Sequence, residues 1–154
     1  MTASQRLREL GIELPSVVKP AGAYRPAVRS GSLVFTAGQV PVVDGRLAAT
    51  GKVGAEIGVD EAAGLARTCV LNALAAVADL VGIDEVRRIV KVTGFVASSP
   101  GFTAQPAVVD GASALLGEVF GEAGEHARSA VGVAELPMNS PVEVEIVCEV
   151  GAGE

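Results

Sequence analysis

Arg128 is the only cation beyond Lys91, in a stretch that carries nine acidic residues. It falls inside an alternating run, His126–Val133, of the kind that makes a strand. Its neighbours at spacing two, Ala130 and Gly132, have little or no side chain, which leaves a hollow beside the guanidinium. A guanidinium is a planar fork of donors that matches a carboxylate in a bidentate way. Two readings stand. Arg128 is a carboxylate clamp in a small pocket, or it is a structural partner of Glu143, Glu145 or Glu149 on the last strand.

Glu143 and Glu145 lie two apart and so share one strand face. A carboxylate of that kind in a pocket can hold or activate a water; on an open face it is simply solvated. Tyr24, the only tyrosine, offers a hydroxyl or merely packs. His126 is the only histidine, and Cys69 and Cys148 are far apart with no C-x-x-C, so no metal-ligand set is expected. Both cysteines sit in apolar patterns and read as free buried thiols. Ser98-Ser99 reads as a turn or cap. The glycines of Gly51–Gly58 fit neither a dinucleotide nor a phosphate-loop spacing.

The elements that would carry these residues follow from periodicity. Residues 1–20 form a leader with a short amphipathic helix closed by Gly11. Tyr24–Ser30 and Leu33–Gln39 flank Gly31-Ser32 and read as a hairpin, and Asp44-Gly45 marks a second turn between Val42-Val43 and Arg46-Leu47. Asp60 is placed to cap a helix over Glu61–Val81, whose stripe is Leu65, Cys69, Ala73, Ala76 and Leu80; Gly82 ends it. Val86–Ala97 reads as a buried strand and Val108–Phe120 as a second helix. His126–Val133 and Val142–Val150 are the closing strands. If those two paired as a hairpin about Leu136–Pro141, Arg128 would face Glu149. The order β-β-β-α-β-α-β-β predicts an α/β domain with one mixed sheet and two helices on one face. The other face then needs a cover, which predicts oligomerisation.

The chain has 154 residues, 49% of them hydrophobic, and a net charge of −6, which suits one domain with a Val, Leu, Ile and Ala core. No basic stripe for nucleic acid is present. No uninterrupted apolar run of spanning length and no secretory leader are evident, so a cytoplasmic protein without a membrane segment is expected.

Two stretches resemble the RidA/YjgF family. Gly31–Pro41 (GSLVFTAGQVP) resembles its strand ending in a Ser/Ala-Gly-Gln-x-Pro turn. Ala127–Val133 (ARSAVGV), followed by Leu136-Pro137 and Val142-Glu143-Val144-Glu145, resembles its C-terminal signature. The likeness covers about residues 18–150. It implies a chorismate-mutase-like fold in which three subunits close their sheets into a barrel, with a cleft at each interface and no simple hairpin between the last two strands. It also implies cofactor-free hydrolysis of enamines and imines such as 2-aminoacrylate to 2-keto acids and ammonia. Arg128 would bind the substrate carboxylate, Glu143 would position water, and Tyr24, Ala37, Gly38, Asp110, Ala130 and His126 would line the cleft.

The chain departs from the family at three of these positions. Ala130 stands where deaminases commonly carry a cysteine, Ala37 where the turn has a serine, and Asp110 where an asparagine opens the second helix. The leader and the Phe120–Arg128 stretch resemble a longer, less characterised branch of the family. A deaminase, a non-catalytic binder of small carboxylates or stress protein, and a pathway-specific enzyme in the same cleft are the competing functions.

Overall fold

The computed structural model describes residues 1–152. The N-terminal helix α1 (Ala3–Glu9) is held by a capping box between Thr2 and Gln5. It docks through Arg6, whose Nε donates to the Glu118 carbonyl at 2.9 Å, and through Ser4, whose hydroxyl donates to Asp84 at 2.6 Å. Strands β1 (Ala27–Ser30) and β2 (Leu33–Thr36) form the expected hairpin. Gly31 takes a φ of +61°, the left-handed first position that a two-residue turn of this kind demands.

Tyr24 does not open the first strand. It lies in a bend before Pro26, and the ladder begins only after that proline, which has no N–H to contribute. The Asp44-Gly45 turn joins two two-residue strands, β3 (Val42–Val43) and β4 (Arg46–Leu47), which stand apart from the main sheet. They are tied instead to the next helix, where the buried Asn72 amide donates to the carbonyls of Val40 and Val42 at 3.1 Å each.

That helix, α2 (Val59–Val81), starts earlier than expected: Gly58 is its N-cap and Asp60 lies in the first turn. There Asp60 complements the helix dipole without capping it. Leu65, Cys69, Ala73 and Ala76 are buried as the stripe predicts, whereas Leu80 is exposed because the last turn runs past the packed surface. By length and hydropathy α2 could cross a membrane, but here its apolar face lies on the sheet and against α3. Strand β5 (Val86–Ala97) and helix α3 (Gln105–Phe120) follow; Pro106 sits in the first turn of α3, where its fixed φ is suited and its missing N–H costs nothing. A 3₁₀ turn, Gly121–Gly124, leads to β6 (Ala127–Val133), and β7 (Val142–Val150) closes the chain.

The main sheet has the order β1-β2-β7-β5-β6. β6 is parallel to β5, and the other neighbours are antiparallel. The last two strands are therefore not hairpin neighbours: β5 lies between them. Register fixes the faces. Val92, Gly94 and Val96 of β5 are level with Arg128, Ala130 and Gly132 of β6 and with Ile146, Val144 and Val142 of β7. This set faces the helices, since a side chain on Gly94 would run into Val109 of α3. The alternate set, including Phe35, Phe95, Val131, Glu143 and Glu145, faces away from both long helices. Val28, Phe35 and Val131 on that face are 51%, 44% and 43% exposed.

Helices α2 and α3 touch at Gly111, where a methyl group would meet the Ala63 backbone. Backbone cannot yield as a flexible side chain can. Gly111→Ala should therefore cost roughly 1–3 kcal/mol or more through overpacking, read as a lower denaturation midpoint in urea. An unchanged midpoint would contradict this helix contact.

Candidate functional site

The predicted site residues gather in two separate groups. The first surrounds Arg128 on the edge strand β6. Its Nη1 donates to Asp110 Oδ1 at 2.7 Å and to Ser113 Oγ at 3.2 Å, and its Nη2 makes a long contact, 3.4 Å, with the Pro106 carbonyl. Asp110 and Ser113 are three apart on α3 and so share one face of the helix. Arg128 is thus an ion-pair partner, but of Asp110 rather than of any glutamate on β7. Glu149, which the hairpin would have placed opposite Arg128, is instead level with Leu33 and Arg88.

His126 extends this group. Its Nδ1 lies 2.6 Å from the Gly124 carbonyl, and its Nε2 lies 2.9 Å from Ser113 Oγ. A carbonyl can only accept, so Nδ1 carries the proton. In the neutral ring Nε2 then accepts the Ser113 hydroxyl proton. This leaves the lone pairs of Oγ to receive Arg128. The imidazole therefore orients the serine that holds the guanidinium. Ser113 was not among the residues the sequence singled out; its signal was its spacing from Asp110.

The hollow expected beside Arg128 is only half realised. Ala130 leaves room, but a Cβ on Gly132 would stand 2.7 Å from the Gln105 amide nitrogen and 3.0 Å from Ser98 Oγ. Gln105 fills that space and is anchored by donating to Ser98 Oγ at 3.2 Å and to the Phe102 carbonyl at 2.9 Å.

The second group lies where β1, β2 and β7 meet. Glu143 is half-buried against Gly38, where any side chain would strike its carboxylate. Burial, with a smaller contribution from the Glu145 charge, raises the Glu143 pKa. Ala37 donates its N–H to the Pro26 carbonyl at 2.8 Å, and Gln39 exchanges backbone bonds with Val144. Tyr24, two residues before Pro26, is exposed at this same end, with its ring along Gly22.

The two groups do not meet within one chain. Two strand spacings, about 10 Å, separate β6 from β7, and Arg128 and Glu143 point to opposite sheet faces. The thiols are buried in the core, and Cys69 lies beside the second group, its Sγ donating to the Val142 carbonyl at 3.8 Å and its pKa raised by burial and, to a smaller extent, by the Glu143 charge. Burial pushes Cys148 up to about 11 and Cys69 well above its ordinary value, so neither is a thiolate nucleophile near neutral pH. Among the described residues, no three His, Cys, Asp or Glu side chains converge as a metal set.

The raised pKa of Glu143 carries a pH signature. The folded chain holds this proton more tightly than the unfolded chain, so stability falls as pH rises from the ordinary carboxylate range through the folded pKa. Glu143→Gln should be more stable than wild type at neutral pH, with the gain shrinking as pH falls through the raised folded pKa and gone below the ordinary value of 4.5. Thermal melts across pH check this, and a gain that persists in acid would contradict it.

The model of the family described as "YjgF/chorismate mutase-like, putative endoribonuclease" matches residues 4–150. Protein TCP17 of Trypanosoma cruzi is 44% identical over 145 residues, which cover 93% of this chain and 91% of that protein. Among solved structures, Atu1372 of Agrobacterium tumefaciens superposes with a TM-score of 0.89 at 41% identity, over 97% of this chain and 92% of its own. A protein of Shewanella oneidensis does so at 0.94 and 34%, over 97% and 100%. With a family model, a sequence relative and superposable structures in agreement along nearly the whole length, this chain belongs to the YjgF/Rid family.

Proposed function

We propose that this protein hydrolyses reactive enamine and imine intermediates of the 2-aminoacrylate class to 2-keto acids and ammonia, in a cleft between two subunits of a homotrimer. The observation that carries this reading is the division of the site. A carboxylate-binding fork on the edge strand β6 and a half-buried carboxylate of raised pKa on the central strand β7 occupy opposite faces of one sheet. Each is half of a hydrolytic site, and a neighbouring copy can supply the other half. The exposed apolar side chains Val28, Phe35 and Val131 give such a copy a surface to cover.

The chemistry needs little beyond positioning. An enamine tautomerises to the imine, and the protonated imine is already electrophilic at its carbon. Arg128 holds the substrate carboxylate. Glu143 takes a proton from water as the oxygen bonds to that carbon, giving a carbinolamine. The proton then passes to the nitrogen, the C–N bond breaks, and ammonia leaves as the carbonyl forms and the hydroxyl proton returns to Glu143, which releases it to solvent or to the departing ammonia. A carboxylate with a raised pKa suits both halves of this exchange. Proximity and orientation supply much of the rate, and no cofactor enters the balance. Tyr24, Ala37 and Gly38 would border the reacting end, and Ala130 would leave space beside the clamp. The net charge of −6 and the single cation beyond Lys91 argue against the ribonuclease activity named in the family description.

In an assay where a pyridoxal-phosphate dehydratase generates the imine and semicarbazide traps it, wild type should suppress trapping. Arg128→Ala and Glu143→Gln should each lose at least about 100-fold of that activity. Mixed trimers assembled from equal amounts of the two inactive variants should recover about one quarter of wild-type activity, since one cleft in four receives both intact residues. Absence of suppression by wild type across several imine sources would favour a carboxylate-binding protein, and absence of complementation would contradict the shared cleft.

A further inference from the structure

The contact between Arg128 and Asp110 bears on which ligands the site prefers. Arg128 is largely buried, with its side chain 22% exposed, whereas the Asp110 carboxylate is 69% exposed. Asp110 engages only Nη1 of the fork, and Nη2 has no partner closer than the 3.4 Å contact with Pro106. The guanidinium therefore keeps donors for a second anion. The Asp110 carboxylate, bound through one oxygen to a single donor, keeps lone pairs for a second cation. Because the Asp110 side of the pair is open to solvent, its hold on the guanidinium is screened and can be shared with a ligand.

We infer that Asp110 and Arg128 together form a zwitterion-selective site, which takes ligands with a carboxylate and a cationic nitrogen on adjacent carbons in preference to simple carboxylates. This rests on the carboxylate-clamp reading of Arg128 above and deepens it. In a 2-iminio or 2-amino acid, the carboxylate and the nitrogen lie close enough to meet the guanidinium and the Asp110 carboxylate at once. Each ligand charge then faces its opposite. A 2-keto acid offers only the anion; it must share the fork with Asp110 and gains nothing in return. Hydrolysis of the iminium removes the cation, so the product is held by one ion pair fewer than the substrate. Asp110 thus acts as a specificity-determining residue that favours substrate over product.

Pyruvate and L-alanine separate these possibilities, because they differ chiefly in carrying a carbonyl or a cationic nitrogen next to the carboxylate. Both would be titrated calorimetrically into wild type, Asp110→Asn and Arg128→Ala. Wild type should bind alanine more tightly than pyruvate. Asp110→Asn should tighten pyruvate and weaken alanine, each by roughly threefold, so that their ratio moves about tenfold. Arg128→Ala should lose both ligands. An alanine-to-pyruvate ratio unchanged in Asp110→Asn, with both ligands still lost in Arg128→Ala, would overturn the role of Asp110 and leave the clamp intact. Binding that survives in Arg128→Ala, or that is missing from wild type, would overturn the clamp and with it this inference.

Discussion

β5 is the strand on which the rest of the sheet depends, because it alone joins the parallel edge strand to the antiparallel part of the sheet. β6 hydrogen-bonds to it in parallel on one side, and β7 does so antiparallel on the other. Its β-branched residues Val92 and Val96 are fully buried beneath the helices, and Gly94 between them admits Val109 of α3. That close approach sets the height of α3 above β6. The height decides which residues of α3 can reach the guanidinium of Arg128. β5 also keeps β6 and β7 two spacings apart, so it is the reason that the charged groups of these strands never pair.

The Arg128 group shows how a single cation on an acidic surface can be oriented without being used up. Asp110 and Ser113 approach from the helix, His126 fixes the proton of Ser113, and the Gly124 carbonyl fixes the tautomer of His126. Each link has one donor and one acceptor, so the arrangement is determined once the carbonyl is placed. The Glu143 group follows a different principle. Among the described residues no cation pairs with its carboxylate, and burial raises its pKa. Gly38 is what allows this, because any larger residue would displace the carboxylate.

Much of the fold was legible in the sequence. β5, β7 and the body of α2 could be read because long runs of consistent period leave one choice of buried face. Short elements were less legible. Val42–Leu47 carried strand composition and a sound turn but too few residues to join the main sheet, and the Asn72 amide of α2 claimed the carbonyls of Val40 and Val42. The strand-like pattern runs back to Tyr24, yet the ladder starts at Ala27, because alternation alone does not show where a proline ends it. The hollow at Gly132 was half filled by Gln105, which approaches from a helix start that lay three residues before the expected one.

The sequence by itself determined the element types, the isolation of Arg128 and the small residues around it, and the two motifs that resemble the family. These rest on local spacing and on residue type. Only the tertiary structure decided that Arg128 meets Asp110 and Ser113, and that it lies on the opposite face from Glu143. Those facts depend on strand order and on the height of a helix above the sheet. Both are set by packing between residues far apart in the chain, and spacing along one strand carries no record of which strand lies beside it.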